Sequence, residues 1–155
     1  ERSVGQRNAI ETGKMTSGKE GGGADSNSVV VPRDASAGSY ETGGELVMEE
    51  AKVRPKALLQ ASNGAVEQVV AKNPSAIGYV GLGYLAPSIK GLHIGKVAAS
   101  AETALSKEWP LSRELYVFTN GKPSGASGAL IKYILDPAKG QKAVKEVGFV
   151  PLATQ

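Results

Sequence analysis

Three short runs of β-branched or aromatic character, at residues 29–31, 76–80 and 115–118, alternate with stretches whose apolar residues recur at helical spacing, and that alternation constrains the chain to an α/β class. β-Branched and aromatic side chains suit a pleated surface, and breakers punctuate these runs: Pro32 after the first, glycines from Gly81 after the second, Asn120-Gly121 after the third. Val30, Ile77 and Val117 are therefore expected on neighbouring strands of one sheet. The clearest helical period places Ala65, Val66, Val69 and Val70 on one face, with Ser62 or Asn63 as the cap and Asn73-Pro74 as the stop. A second begins at Ser124 with Leu130, Ile131, Ile134 and Leu135 on one face, and Asp136-Pro137 opens another helix to about Val147. A thin helix over residues 3–10, a helix from Gly38 that continues through residues 45–51 with Leu46, Val47 and Met48 inward, and a short strand at residues 57–59 are also expected.

A chain of 155 residues with 41% hydrophobic residues supports one core and is read as a single α/β domain over residues 1–155. Its 18 Lys and Arg are scattered among 15 acidic residues for a net charge of +3, which leaves no stripe for nucleic acid. Without cysteine there are no disulfides, thiolate metal sites or cysteine nucleophiles. His93 is the single histidine and is read as structural or exposed; no metal and no cofactor is implied. No apolar run has the length of a membrane helix, and the first residues do not read as a signal peptide.

Three stretches invite a phosphate reading. The run GKMTSGK at residues 13–19 has the glycines and lysine of a phosphate-binding loop, but Glu20 stands where a hydroxyl is needed and no strand precedes Gly13. Gly81, Gly83 and Ala86 have dinucleotide spacing, but Pro87 and Gly91 forbid the receiving helix, so close backbone packing is the better reading. The third is the loop after Val31. There a helix start brings unpaired N–H groups and the positive end of a dipole, Ser36 and Ser39 bring hydroxyls, and Arg33 brings a charged fork, which together suit a tetrahedral oxyanion. The bland alternative has Ser36 or Ser39 as a helix cap and Arg33 in solvent, and taken in isolation the loop favours it.

The whole order resembles the phosphate-binding proteins of phosphate ABC transporters, a branch of the two-lobed periplasmic-binding-protein fold. The likeness is carried by IETGKMTSGKEGG at residues 10–22, by residues 29–42, by SNGAVEQVVAKNPSAIGYVGLGY at 62–84, by WPLSRELYVF at 109–118 and by LDPAKGQKAVKEVGFVPL at 135–152. It implies a periplasmic-binding-protein-like lobe with a mixed sheet flanked by helices, residues 10–113 forming most of a second lobe and 114–155 the hinge return and closing helices. By the same likeness Arg33, Gly38 and Ser39 take the places of an Arg, a Gly N–H and a Thr that bind oxyanion. Ser36 is a further candidate shifted by one position, and Ala37 replaces a Ser ligand, at a cost of about 1.5–3 kcal/mol. The implied function is phosphate binding as a half-site, without catalysis, in the periplasm or outside the cell. The implied partners are inorganic phosphate or a similar oxyanion, an ABC permease and a first lobe; nucleic acid and a membrane span are not expected.

The likeness has gaps. Nothing before Ile10 resembles the family's first-lobe segment, and Glu11, Gly18, Gly21 and Gly43 stand where large apolar residues are usual. These positions either lie on a surface bared by removal of the first lobe or mark a truncated or engineered version. The alternative function is a structural or interaction domain that keeps the lobe and binds no phosphate usefully.

Overall fold

β1 (Val29–Val31) has a neighbour along each edge. The computed structural model describes residues 2–49 and 51–152. Along one edge β1 pairs in parallel with β2 (Ala76–Gly78), Val29 opposite Ala76 and Val31 opposite Gly78. Along the other runs an extended segment: Leu58 N–H donates to the Val30 carbonyl at 2.8 Å and Gln60 N–H to that of Pro32 at 2.9 Å. Pro32 has no N–H, yet its carbonyl carries this ladder one step further, to a parallel bridge between Arg33 and Gln60. The strand expected at residues 57–59 is therefore an edge ribbon rather than a regular strand.

Neighbouring side chains on a strand point to opposite faces, and Val30 and Val31 are both buried, so β1 is covered above and below. One cover is α3 (Asn63–Lys72), which packs on both strands; Ser62 Oγ caps it by accepting from Ala65 N–H at 3.1 Å, and Val66 is its fully buried residue. Ile10 of α1 (Val4–Thr12), Val47, Met48 and Ile94 complete the buried apolar set among the described residues. α2 (Gly38–Leu46) ends at Leu46, so Val47 and Met48 reach the core from the turn after the helix, not from within it. The class is α/β, with the two regular strands parallel.

Residues 82–84 form a 3-10 turn, and the expected close packing is found there: a Cβ on Gly83 would lie 2.6 Å from the Gly148 Cα. This contact seats the end of the chain on the lobe. The preceding α4 (Ala101–Leu105), α5 (Gly125–Leu135) and α6 (Gly140–Glu146) are short, and α5 lies against α6. Gln141 clasps that pair: its amide donates to the Ile134 carbonyl at 2.8 Å and accepts from Leu152 N–H at 2.7 Å. Residues 115–118 form no strand, against expectation, and Phe118 is 88% exposed. Strand propensity expresses the fit of a side chain to a pleated, half-buried surface, and no strand edge or covering helix meets this run among the described residues. Leu130, Tyr133 and Leu135 of α5 are likewise exposed.

Glu11 and Gly43, two of the positions where the likeness called for bulk, are not surface residues. Glu11 is 1% exposed and accepts from Arg7, itself 6% exposed, one helical turn earlier. Arg7 lies over the Tyr79 ring at 5.4 Å from its centroid, and a Cβ on Gly43 would stand 2.9 Å from the Tyr79 hydroxyl. Tyr79 and the Arg7–Glu11 pair thus fill space that a large side chain at either position would take. Glu11 Oε2 and the Tyr79 hydroxyl are buried with no hydrogen-bond partner among the described residues, and burial followed by the charge of Glu11 pushes the Tyr79 phenol above its ordinary range.

A buried pair is costly to break and cheap to replace whole. Glu11→Ala should therefore lower stability by about 3–5 kcal/mol by leaving Arg7 uncompensated, whereas Arg7→Met with Glu11→Leu should match or exceed the parent. Urea unfolding of the three proteins checks this, and an Ala variant as stable as the parent would contradict it.

Candidate functional site

The ladder of β1 delivers Arg33 to the mouth of a cavity of about 1020 Å³ that is also lined by Ala37, Gly38, Ser39 and Arg113. Arg33 is half-buried and its fork is held from below. Nε donates to the Gln60 carbonyl at 3.2 Å, Nη2 to the Ala61 carbonyl at 3.1 Å and Nη1 to Asn63 Oδ1 at 3.4 Å. A guanidinium has five N–H donors, so these bonds fix its plane while leaving donors for a ligand.

The turn into α2 is set by Asp34. Its Oδ1 accepts from Ser36 N–H at 3.0 Å and from the Ser36 hydroxyl, and these two bonds, the hydroxyl's first, hold the Asp34 carboxyl below its ordinary value. Both donors of Ser36 are thereby turned inward to the loop. Ala37 occupies the N-cap and offers no side-chain acceptor. Its carbonyl accepts from Tyr40 and Glu41 N–H, but the N–H groups of Gly38 and Ser39 have no acceptor among the described residues. Two amide donors at the positive end of a nine-residue helix thus line the same cavity as a braced guanidinium.

Arg113 enters this place from far along the chain. A Cβ on Gly38 would overlap its Nη2, with Cζ 3.5 Å away, so the guanidinium lies directly on the first residue of α2. The loop's own residues gave no sign of it. The segment WPLSREL that carries Arg113 was legible as part of the likeness, but its approach to Gly38 is a tertiary fact. Asn63, read only as a possible helix cap, serves as a brace for Arg33.

The structure also shows how the run at residues 13–19 is used. Glu20 Oε1 accepts from Thr16 N–H at 2.9 Å and Ser17 N–H at 2.8 Å, occupying amides that a phosphate would need, and Lys19 pairs with Asp25 at 3.3 Å. Those amides hold the Glu20 carboxyl below its ordinary value. His93 is exposed, and among the described residues no three His, Asp or Glu side chains gather as a metal site.

No family model matches the chain. It is 33% identical to the phosphate-binding protein PstS of Borreliella burgdorferi, over 94% of this chain and 56% of that protein. It is 26% identical to PstS of Bacillus subtilis, over 92% of this chain and 48% of that one. Among solved structures it superposes with a TM-score of 0.83 and 28% identity on a putative phosphate ABC transporter substrate-binding protein from Clostridium perfringens with bound phosphate, covering 97% of this chain and 63% of the other. PstS from Borrelia burgdorferi gives 0.79 and 29% over 98% of this chain and 64% of the other. The chain thus spans about half the length of the curated relatives it matches. Nearly every residue it has finds a counterpart in those proteins, in order and in space, so over its length the chain is similar to about half of a PstS phosphate-binding protein.

Proposed function

We propose that the chain binds a phosphate-like oxyanion, without catalysing its reaction, at the start of α2. The observation that carries this reading is the pair of unsatisfied N–H groups at Gly38 and Ser39, which line one cavity with the braced guanidinium of Arg33, in a chain whose relatives are named for binding phosphate. In this reading Arg33, Gly38 and Ser39 supply donors and Ser36 braces the loop through Asp34. The site is read as a half-site because the chain spans about half the length of the relatives it resembles. The exposed apolar residues Leu115, Tyr116, Val117, Phe118 and Leu130 are the surface on which a first lobe, completing the grip, would be seated. Residues 10–113 then act as the ligand-bearing lobe and residues beyond 113 as hinge return and closing helices. The setting we propose is periplasmic or extracellular, with an ABC permease as the downstream partner; no helix among the described residues is long and apolar enough to cross a membrane.

Titration calorimetry with inorganic phosphate at fixed low salt tests the proposal. Ala37→Ser adds a hydroxyl donor toward a charged acceptor and should tighten binding about ten- to a hundredfold, and Arg33→Ala should weaken it by a similar factor. Equal affinity for the parent and both variants would reduce the loop to a helix start with no ligand.

The loop has its own pH signature. Because the Asp34 carboxyl is held below its unfolded value, its turn stabilises the fold above that value and the contribution is lost as pH falls through the lowered pKa. Ser36→Ala removes the larger cause and should move the Asp34 midpoint up toward the ordinary carboxylate range, read by carboxyl carbon shifts in an NMR titration. An unmoved midpoint would show that the hydroxyl is not held as described.

A further inference from the structure

We infer that Arg113 is a second charged donor of the anion seat and that Gly38 is glycine in order to admit it, an inference that rests on the proposed binding of phosphate at the start of α2. The guanidinium of Arg113 lies on Gly38, and any Cβ at that position would overlap its Nη2. It lines the same cavity as Arg33 and Ser39. Unlike Arg33, whose Nε and Nη2 are engaged by carbonyls before α3 and whose Nη1 is engaged by Asn63 at its start, Arg113 has no carboxylate or carbonyl partner among the described residues. The nearby acids are occupied: Asp34 accepts from Ser36, and Glu114 pairs with Lys107 and accepts from the Tyr116 hydroxyl.

A cation placed against the positive end of a helix is an unfavourable neighbour, since the dipole favours negative charge there. Arg113 stands there against unpaired amides, and a second arginine lines the same cavity, so an oxyanion at the helix start offsets this unfavourable placement and takes up the free donors. The division of labour follows from the bonds. Arg33 is fixed to the lobe and sets the position of the anion, while Arg113, carried on the connection that leads toward the C-terminal helices, supplies the second charge over Gly38. A doubly charged tetrahedral oxyanion matches two guanidinium groups better than a singly charged one.

The test uses the full chain and inorganic phosphate. Arg113→Gln should weaken phosphate binding about ten- to a hundredfold and flatten its salt dependence, because one charge contact is lost. Gly38→Ala places a methyl where Nη2 sits, at the first position of a helix where alanine folds readily, so it should lose affinity comparably with an unchanged circular dichroism spectrum. The double variant should bind no more weakly than Arg113→Gln alone, since both act on one contact. A parent-like affinity in Arg113→Gln alongside a weakened Arg33→Ala would overturn the role of Arg113 and leave the seat intact. Additive losses in the double variant would overturn the link to Gly38, and a parent that binds no phosphate would remove the seat and this role together.

Discussion

The burial of Val30 and Val31 on opposite faces of β1 is the constraint on which the rest depends. A strand covered on both faces, with a neighbour on both edges, has one register available, because a slip of one residue would exchange its two faces and misplace every pairing. That register carries through the Pro32 carbonyl to the Arg33–Gln60 bridge. The position of the arginine at the cavity mouth is therefore set by hydrophobic burial several residues earlier, and the loop after it inherits a fixed starting point.

The core beside this strand has accepted charge where its relatives are expected to have bulk. Glu11 and Arg7 neutralise each other inside the fold, Tyr79 lies against the guanidinium, and the absence of a side chain at Gly43 makes room for the phenol. Such an arrangement is a weak source of stability, since two charges leave water for the sake of one contact and an oxygen of Glu11 stays unsatisfied. Its consequence is geometric. The cluster holds Tyr79, which follows β2, against α2 at Gly43, and so fixes the helix whose first turn is the proposed anion seat.

The seat itself draws on backbone more than side chains. Its amides are unsatisfied because the first N–H groups of a helix have no intrahelical acceptor and the alanine cap supplies none, and its charge comes from residues well apart in sequence, one braced and one unbraced. Two other glycine-rich runs suggested phosphate chemistry and do not provide it: at residues 13–19 a glutamate of the chain itself takes the amides, and at residues 81–86 glycine serves to seat the C-terminal segment. In both runs the fate of the local motif is set by what the fold brings against it.

What the sequence determined by itself were the features that local chemistry settles. The strands at Val29 and Ala76, the Ser62 cap, the stop at Asn73-Pro74 and the helix from Gly38 follow from β-branching, side-chain oxygens and proline, which act within a few residues. The order of these elements carried the family likeness, and through it the candidates Arg33, Gly38 and Ser39. Tertiary structure decided the rest. Residues 115–118 have the side chains of a strand but no edge to pair with among the described residues, of the two readings open for Glu11 its burial against Arg7 removes the bared surface, and the donors of Ser36 are held by Asp34. Arg113 could be placed on Gly38 only by the path of the chain. Propensity and caps are properties of neighbours in sequence, whereas burial, partner choice and the meeting of distant charges depend on which surfaces the fold brings together.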